Sequence, residues 1–238
     1  DISTDLQKGA LTSIIGANGC GKSTLLKSIL GFLPLQNGII TIDDQNVANI
    51  TSKERAKKLS YLSQGKNTPD MTVEQLVLHG RFPHLNYPRR YTKTDYEIAY
   101  SAMEQVEITD IAQKPLTALS GGMRQKTYIA MALCQDTNYI LLDEPTTYLD
   151  IHHQLELMKL LRKLTDSKKG IIAVMHDLPM AFTYSDRILL LDQGKILIND
   201  TPREVCKHSY LQEIFGVSLV SSKDKMSFHY NYESALNV

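Results

Sequence analysis

One stretch constrains this chain more than any other: GANGCGKST, residues 16–24. Gly16, Gly21, Lys22 and Ser23 fit the pattern G-x-x-x-x-G-K-[ST], in which glycines let the backbone curl so that its N–H groups face phosphate oxygens. Partly β-branched residues precede the stretch, and apolar residues at helical spacing follow it. The pattern therefore predicts a phosphate loop between a strand and a helix, with the helix beginning at Gly21 or Lys22.

The end of this loop indicates a nucleotide rather than a simple anion. A helix N-terminus directs free N–H groups and positive partial charge at a phosphate. Lys22 would add charge toward the β and γ phosphates, and the Ser23 hydroxyl can ligate Mg²⁺. The alternative is a glycine-rich turn that binds nothing, but the full pattern in the right context favours the phosphate site.

Composition excludes several other classes. Lys plus Arg (26) equals Asp plus Glu (26), so no overall field favours nucleic acid or an anionic membrane, and no nucleic-acid partner is expected. The three cysteines form no C-x-x-C pair, which argues against a disulfide framework or a zinc site and favours a reduced cytoplasmic compartment. No apolar run approaches the roughly 20 residues of a membrane span, and no secretory leader opens the chain. We expect a protein that is soluble by itself.

The texture of the chain predicts an α/β fold with one insertion. Residues 67–130 are polar and helical, whereas residues 139–143 and 170–175 read as buried parallel strands. Apolar residues from Ile151 to Leu164 mark an amphipathic helix between those strands. Residues 188–198 read as a hairpin. The tail after Val217 carries no clear signal.

A buried strand ends on two carboxylates, Asp143 and Glu144. Ligands of open α/β sheets bind at the carboxyl ends of the strands, so these side chains should face the phosphate loop. Asp143 fits an acid that orients Mg²⁺, and Glu144 fits a group that polarises the attacking water. The alternative is a pair of carboxylates that cap the next helix through Pro145.

A second anion-binding device lies about a hundred residues after the first. Ser120, Gly121 and Gly122 precede a helix, and a serine with glycines at a helix N-terminus suits a phosphate. One nucleotide does not need two such cradles in one subunit. A symmetric head-to-tail dimer resolves the excess, because each phosphate loop would then face the second device of the other subunit.

Together these motifs resemble the ATP-binding cassette (ABC) ATPases over nearly the whole chain. The matching segments, in family order, are the Walker A loop (16–24), the Q-loop (Gln64), the signature (119–125), the Walker B strand with the D-loop (139–150) and the switch histidine (His176). The resemblance implies a P-loop NTPase core with a mainly parallel sheet, an antiparallel β portion and an inserted helical subdomain. We expect one ABC domain over residues 1–238, with a core of 1–64 and 131–238 and a helical subdomain of 65–130.

The resemblance also implies a role for each matching residue. Glu144 would activate water, and the other implied catalytic residues are His176, Lys22 and Gln64. Mg²⁺ would be held by Ser23, Gln64 and Asp143. Asp150 would couple the two sites of the dimer, and the signature residues Ser120, Gly121 and Gly122 would reach the ATP of the partner subunit. The residues implied to hold the ATP phosphates are Gly16, Asn18, Gly19, Cys20, Gly21, Lys22, Ser23 and Thr24.

One branch of the family fits further residues. Residues 80–84 (GRFPH), 143–151 (DEPTTYLDI) and the pair His153-Gln154 resemble the bacterial importers of ferric siderophores, haem and cobalamin. That resemblance implies a homodimer at the cytoplasmic face of the inner membrane, docked on separate permease subunits and served by a periplasmic or lipid-anchored substrate-binding protein. The Arg- and Tyr-rich residues 81–100 are either part of the docking face or a solvated helical surface.

Other interpretations stay open. A soluble ABC ATPase that acts in assembly or regulation would share every catalytic residue, whereas a nucleotide-dependent kinase would have no use for the signature. The family also stacks adenine on an aromatic upstream of the phosphate loop, and we expect this sequence, which starts at Asp1, to lack that residue. The histidines His79, His84, His152, His153, His208 and His229 lack ligand spacing and are expected to be structural.

Overall fold

The computed structural model describes residues 2–63, 68–147, 149–222 and 227–231. Its strands are β1 (Leu11–Ile15), β2 (Thr41–Ile42), β3 (Gln45–Asn46), β4 (Leu59–Leu62), β5 (Tyr139–Asp143), β6 (Gly170–Val174), β7 (Arg187–Asp192), β8 (Lys195–Asp200), β9 (Leu219–Ser221) and β10 (Phe228–Tyr230). Its α-helices are α1 (Lys22–Ile29), α2 (Ser52–Ala56), α3 (Val73–His79), α4 (Lys93–Gln105), α5 (Gly121–Cys134), α6 (Ile151–Asp166), α7 (Leu178–Tyr184), α8 (Pro202–Val205) and α9 (Tyr210–Phe215).

A six-stranded sheet in the order β4-β5-β6-β1-β7-β8 forms the centre of the molecule. Every neighbouring pair is parallel except β7 and β8, which form the predicted antiparallel hairpin. All five residues of β1 are buried, as expected for a parallel strand with helices on both faces. The predicted mainly parallel sheet with an antiparallel portion is thus present.

The sheet gathers the functional motifs at one edge. The phosphate loop follows β1, Asp143 ends β5, and His176 comes two residues after β6. These strands lie side by side in parallel, with Asp143 paired to Val174. Their carboxyl ends therefore open onto a common crevice, the usual ligand position in such sheets.

Residues 73–134 contribute α3, α4 and α5, which pack on one another, and α5 also packs against β4. Capping boxes begin α3 at Thr72 and α4 at Thr92, and such boxes satisfy helix N–H groups that have no intrahelical partner. The helical character predicted for this region is observed. Helix α5 continues through the predicted boundary at 130/131, and the division into subdomains stays a prediction.

A buried ion pair fixes the segment before α4 to α5. Arg81 Nε donates to Asp95 Oδ1 at 3.0 Å, and the same guanidinium donates to the Cys134 carbonyl at 3.1 Å. Burial raises the pKa of the Asp95 carboxyl. The hydrogen bonds from Thr92 and Arg81 lower that pKa by a larger amount, so the net shift is downward. Arg81 is 8% exposed and therefore serves the fold, whereas Tyr87 in the same Arg- and Tyr-rich stretch is almost fully exposed.

The tail, which the sequence left unassigned, contains a small hairpin. Strands β9 and β10 pair antiparallel, and Phe228 packs edge-on against Phe182 of α7 with ring centres 5.7 Å apart. Of the helices in the described ranges, none combines the length and the apolar character that a membrane span requires.

The buried pair generates a stability prediction. Asp95→Asn removes the charge that faces Arg81 and should lower the free energy of unfolding by about 3 kcal/mol, because a buried guanidinium is left without its counter-ion. Glu97→Gln is the matched control, since Glu97 pairs with Lys93 at the surface at 3.6 Å, and it should cost less than about 0.5 kcal/mol. Urea unfolding at pH 7 measures both variants. Equal losses would contradict a structural role for the buried pair.

Candidate active site

The phosphate loop can form only because Gly16 lacks a side chain. A Cβ on Gly16 would lie 2.1 Å from the Leu191 carbonyl oxygen and 2.7 Å from Cys20 Sγ. Gly21, at φ 108°, turns the chain into α1, in the left-handed region that glycine adopts without steric cost. The helix begins at Lys22, as predicted. The loop is therefore a tight backbone cradle seated against the end of β7.

Lys22 occupies the centre of this cradle. Its Nζ donates to the carbonyls of Gly16 at 2.8 Å and Ala17 at 2.9 Å, and lies 3.9 Å from Cys20 Sγ. The side chain is buried, and a buried ammonium requires such partners. These contacts hold a positive charge within the loop, where phosphate oxygens would be attracted to it.

Ser23 joins the loop to the central strand β5. Its hydroxyl donates to Asp143 Oδ1 at 3.1 Å, although 120 residues separate the two in sequence. The other oxygen of this buried carboxylate, Oδ2, accepts from the Tyr61 hydroxyl at 3.2 Å. Hydroxyl and carboxylate oxygens are the ligands that Mg²⁺ prefers. The pair thus fits the predicted magnesium site.

Tyr61 was assigned no role from sequence. Burial raises the pKa of its phenol, the charge of Asp143 and the hydrogen bond to it raise it further, and the result is about 12. The phenol therefore stays protonated at neutral pH and acts as a hydrogen-bond donor. It orients the Asp143 carboxylate through the oxygen that Ser23 does not contact.

Glu144 lies at a sharp turn directly after β5. Its backbone has φ 54°, an uncommon conformation for a residue with a side chain that often marks functional sites. His176 Nε2 lies 2.6 Å from Glu144 Oε1, and the Thr147 hydroxyl donates to Oε2 at 3.3 Å. The alternative that Glu144 caps the next helix is wrong, because Asp150 is the N-cap of α6.

The electrostatics of Glu144 favour its ionised form. Burial raises the pKa of the carboxyl, but the hydrogen bond and charge of His176 act against burial. Thr147 and Lys22 lower the pKa further, so the net shift is downward. The group is therefore a carboxylate at neutral pH, able to accept a proton from water.

Two glutamines hold the loop that follows Glu144. Gln125 of α5 donates to the Pro145 carbonyl at 3.0 Å. Gln154 of α6 donates to the carbonyls of Thr146 at 3.2 Å and Leu149 at 3.0 Å. Both residues stand in motifs quoted from the sequence, but the contacts depend on the tertiary packing of α5 and α6 and could not be read from it.

The remaining predicted residues form a second group. Ser120 is the N-cap of α5 and accepts from the Met123 N–H, with Gly121 and Gly122 as the first helical residues. Asp150 is joined to this group by His153, which contacts both Asp150 and Gly122.

In the phosphate loop, Asn18, Gly19 and Thr24 are exposed. Gln64 lies outside the described residues.

Two of the histidines expected to be structural make backbone contacts. Within the described ranges, no three His, Cys, Asp or Glu side chains form a cluster that could hold a metal ion. His79 and His84 instead contact the backbone carbonyls of Gln75 and Gln135 at 2.8 and 2.9 Å. The cysteines Cys20, Cys134 and Cys206 are free thiols.

Because Gly16 lies so close to its neighbours, a side chain at this position should disturb both stability and nucleotide binding. Gly16→Ala should lower the melting temperature by several degrees and abolish nucleotide binding, because its Cβ would collide with a backbone oxygen that cannot move aside. Gly38→Ala is the matched control, since Gly38 also has positive φ but meets nothing within 4 Å. It should cost about 1 kcal/mol of strain and leave nucleotide affinity unchanged. Thermal unfolding and titration with a fluorescent ATP analogue measure both effects, and wild-type affinity in Gly16→Ala would refute the cradle.

Known proteins resemble this chain over most of its length. The family model described as ABC transporter matches residues 1–147. A petrobactin import ATP-binding protein of Bacillus anthracis is 38% identical over 228 residues, which cover 95% of this chain and 84% of that protein. The ferric enterobactin transport ATP-binding protein of Escherichia coli (strain K12) is 38% identical over 230 residues, with the same shares covered.

Solved structures are similar over most of the chain. An inward-facing ABC transporter assigned to the metal-chelate type superposes with a TM-score of 0.81 at 29% identity, covering 96% of this chain and 87% of that one. A dimeric ATP-binding cassette in a post-hydrolysis state with ADP and phosphate gives a TM-score of 0.73 at 27% identity, covering 85% and 90%. With its P-loop NTPase fold and this motif order, the chain belongs to the ABC transporter family as an ATP-hydrolysing cassette.

Proposed function

We propose that this chain powers the import of an iron chelate by hydrolysing ATP as one half of a homodimer docked on a membrane permease. The observation that carries the hydrolytic part is the convergence of two pairs at the carboxyl edge of the sheet, Ser23 with Asp143 and Glu144 with His176. The assignment of an iron chelate as the cargo rests on similarity to the petrobactin and enterobactin proteins. It also rests on similarity to an iron(3+)-hydroxamate import ATP-binding protein of Bacillus subtilis (strain 168), which is 38% identical over 91% of this chain.

ATP would be held by the phosphate loop. Its backbone N–H groups and the N-terminus of α1 bind the phosphates, and the buried Lys22 ammonium supplies the positive charge. The cradle is closed by backbone rather than by flexible side chains, so its donors are already arranged before the nucleotide arrives. The residues proposed to contact the phosphates are Gly16, Asn18, Gly19, Cys20, Gly21, Lys22, Ser23 and Thr24.

The oxygen ligands beside the loop suit Mg²⁺. Ser23 and Asp143 would hold the ion together with Gln64, and Tyr61 would fix the orientation of the Asp143 carboxylate. When bound, Mg²⁺ neutralises the charge that develops on the phosphate oxygens. A hydrogen bond to a metal-binding carboxylate, such as the one from Tyr61 to Asp143, keeps that carboxylate in place and tunes its basicity.

Glu144 is proposed as the group that activates water. Its carboxylate is ionised and can accept a proton from water, and His176 holds Oε1 by a hydrogen bond. His176 would also contact the γ-phosphate. Gln125 and Gln154 restrain the loop after Glu144 from two different helices. Restraint of this kind fixes the orientation of a catalytic base, which is worth a large part of the rate in a hydrolytic site.

The signature is proposed to complete the site of a second subunit. Ser120, Gly121 and Gly122 present a helix N-terminus that the cradle of the same chain does not need, and Asp150 lies in contact with His153 beside them. A head-to-tail homodimer would bring this surface to the partner's ATP, and the similarity to a dimeric cassette with ADP and phosphate supports that arrangement. ATP would then close the dimer and hydrolysis would reopen it.

The chelate itself would be bound elsewhere. We propose separate permease subunits that receive the ATPase at the cytoplasmic face of the inner membrane, and a periplasmic or lipid-anchored substrate-binding protein that delivers the chelate. Alternate closure and opening of the ATPase dimer would drive the permease between its two access states. Ferric siderophores are the favoured cargo, and haem and cobalamin are the alternatives within the same branch.

If Glu144 activates water, replacing its carboxylate should slow ATP hydrolysis without weakening ATP binding. Glu144→Gln should reduce the turnover number at least about a hundredfold, by analogy with other lost transition-state interactions, and leave ATP affinity within about twofold. Glu104→Gln is the matched control, because Glu104 is an exposed residue of α4, and it should hydrolyse ATP normally. Phosphate release under saturating ATP measures both variants. Near-normal turnover by Glu144→Gln would refute the role of Glu144.

The cargo is tested by uptake. The protein is co-expressed in turn with candidate permease and binding-protein pairs in cells that lack their own importers, and uptake of ⁵⁵Fe-labelled siderophore is compared with uptake of haem and labelled cobalamin. We expect siderophore uptake that Glu144→Gln abolishes. Uptake of haem or cobalamin alone would move the proposal to that cargo. ATP hydrolysis without a permease partner or any uptake would favour a role in assembly or regulation.

A further inference from the structure

We propose that His153 is a positioning residue that fastens the signature to Asp150 within one subunit. This inference rests on the proposed function, because Ser120 and Asp150 matter to catalysis only in a dimer with composite sites. The sequence suggested no role for His153 beyond a structural histidine. Its contacts, however, join the starts of two helices, α5 and α6, that belong to different motifs.

The first contact is with Asp150. His153 Nδ1 lies 2.8 Å from both carboxylate oxygens, and the His153 backbone N–H donates to Oδ1 at 2.9 Å. A carboxylate can only accept hydrogen bonds, so Nδ1 carries the proton. The backbone and side-chain hydrogen bonds from His153 lower the pKa of the Asp150 carboxyl. The imidazole thus fixes the rotamer of the helix-capping aspartate.

The second contact is with Gly122. A Cβ on Gly122 would lie 2.3 Å from His153 Cδ2 and 2.8 Å from Cγ and Nε2. The face of the imidazole therefore lies directly on the backbone of the signature helix, where no larger residue fits. The imidazole of His153 therefore contacts Asp150 through Nδ1 and the backbone of Gly122 through one face of the ring.

The surrounding seam depends on such contacts. A cavity of about 340 Å³ separates α5 from α6 and is lined by residues that include Gly122, His153 and Glu156. Because packing is incomplete there, individual side chains set the spacing of the two helices. Glu156 makes a parallel link at the surface, since it pairs with Lys126 of α5 at 3.2 Å and with His152 at 3.3 Å.

The consequence is a rigid connection between two partner-facing groups. Ser120 begins α5 and Asp150 begins α6, and His153 holds those two helix starts at a fixed separation. When the partner's ATP engages Ser120, Asp150 is then already in the orientation that the dimer requires. Pre-arrangement of this kind lowers the ordering cost of association.

A double-mutant cycle tests the contact itself by thermal unfolding. With His153 present, Gly122→Ala should lower the melting temperature by several degrees because its Cβ displaces the ring. In the His153→Ala background the same change should be neutral or stabilising, because the clash is gone and alanine favours a helix over glycine. An identical loss in both backgrounds would overturn the inference.

The positioning role is tested by dimerisation. In a Glu144→Gln background with ATP and Mg²⁺, His153→Ala should raise the protein concentration at half-dimerisation about tenfold, the factor expected for a lost hydrogen bond to a charged group. His153→Asn should largely restore dimerisation, since its Nδ2 can donate to Asp150 from the position of the imidazole Nδ1. His152→Ala is the matched control for the loss of an imidazole: His152 contacts Glu156 and the edge of the His153 ring but makes no hydrogen bond to Asp150, so dimerisation should stay close to that of the parent.

These outcomes separate the inference from the proposed function. Affinity for a fluorescent ATP analogue should stay unchanged in His153→Ala, since the phosphate loop is untouched. Dimerisation of His153→Ala equal to that of the parent, or no recovery with His153→Asn, would overturn the positioning role and leave the composite site intact. If the Glu144→Gln parent itself fails to dimerise with ATP, the composite site is contradicted and the inference falls with it.

Discussion

The hydrogen bond between Ser23 and Asp143 is the contact on which the site depends, because it joins the phosphate loop to the strand that carries the carboxylates. It exists because β1 and β5 run parallel with β6 between them, so that their carboxyl ends share one edge. The buried Lys22 shapes the loop from inside, and Glu144 turns toward it directly after the strand. Loop, carboxylates and His176 are therefore positioned by the register of one sheet.

Much of this arrangement could be predicted from local sequence. The pattern of residues 16–24 fixed the strand–loop–helix unit because each of its residue types answers a local steric or charge requirement. The buried strand before Asp143 and the amphipathic helix α6 were likewise legible from their apolar spacing, and both were observed. The assignment of individual catalytic and ATP-binding roles stays a prediction.

What the sequence did not reveal depends on distant pairings. Tyr61 reaches Asp143 only because β4 lies beside β5, and the two residues are 82 positions apart. Arg81 looked like a surface residue in an Arg- and Tyr-rich stretch, yet it is buried. Its guanidinium donates to Asp95 and to the Cys134 carbonyl. His153 carried no ligand spacing because its partners are a backbone and a capping carboxylate. Periodicity and spacing contain no record of such contacts.

Size-exclusion chromatography tests whether two chains share each ATP. Glu144→Gln protein is passed over a calibrated column with and without ATP and Mg²⁺, beside the same protein carrying Ser120→Arg. If the ATP sites are shared, a dimer should appear only with ATP and should be lost in Ser120→Arg, since a long cationic side chain would block the helix N-terminus that meets the partner's nucleotide. A monomer under all conditions, or a dimer that Ser120→Arg leaves intact, would contradict it.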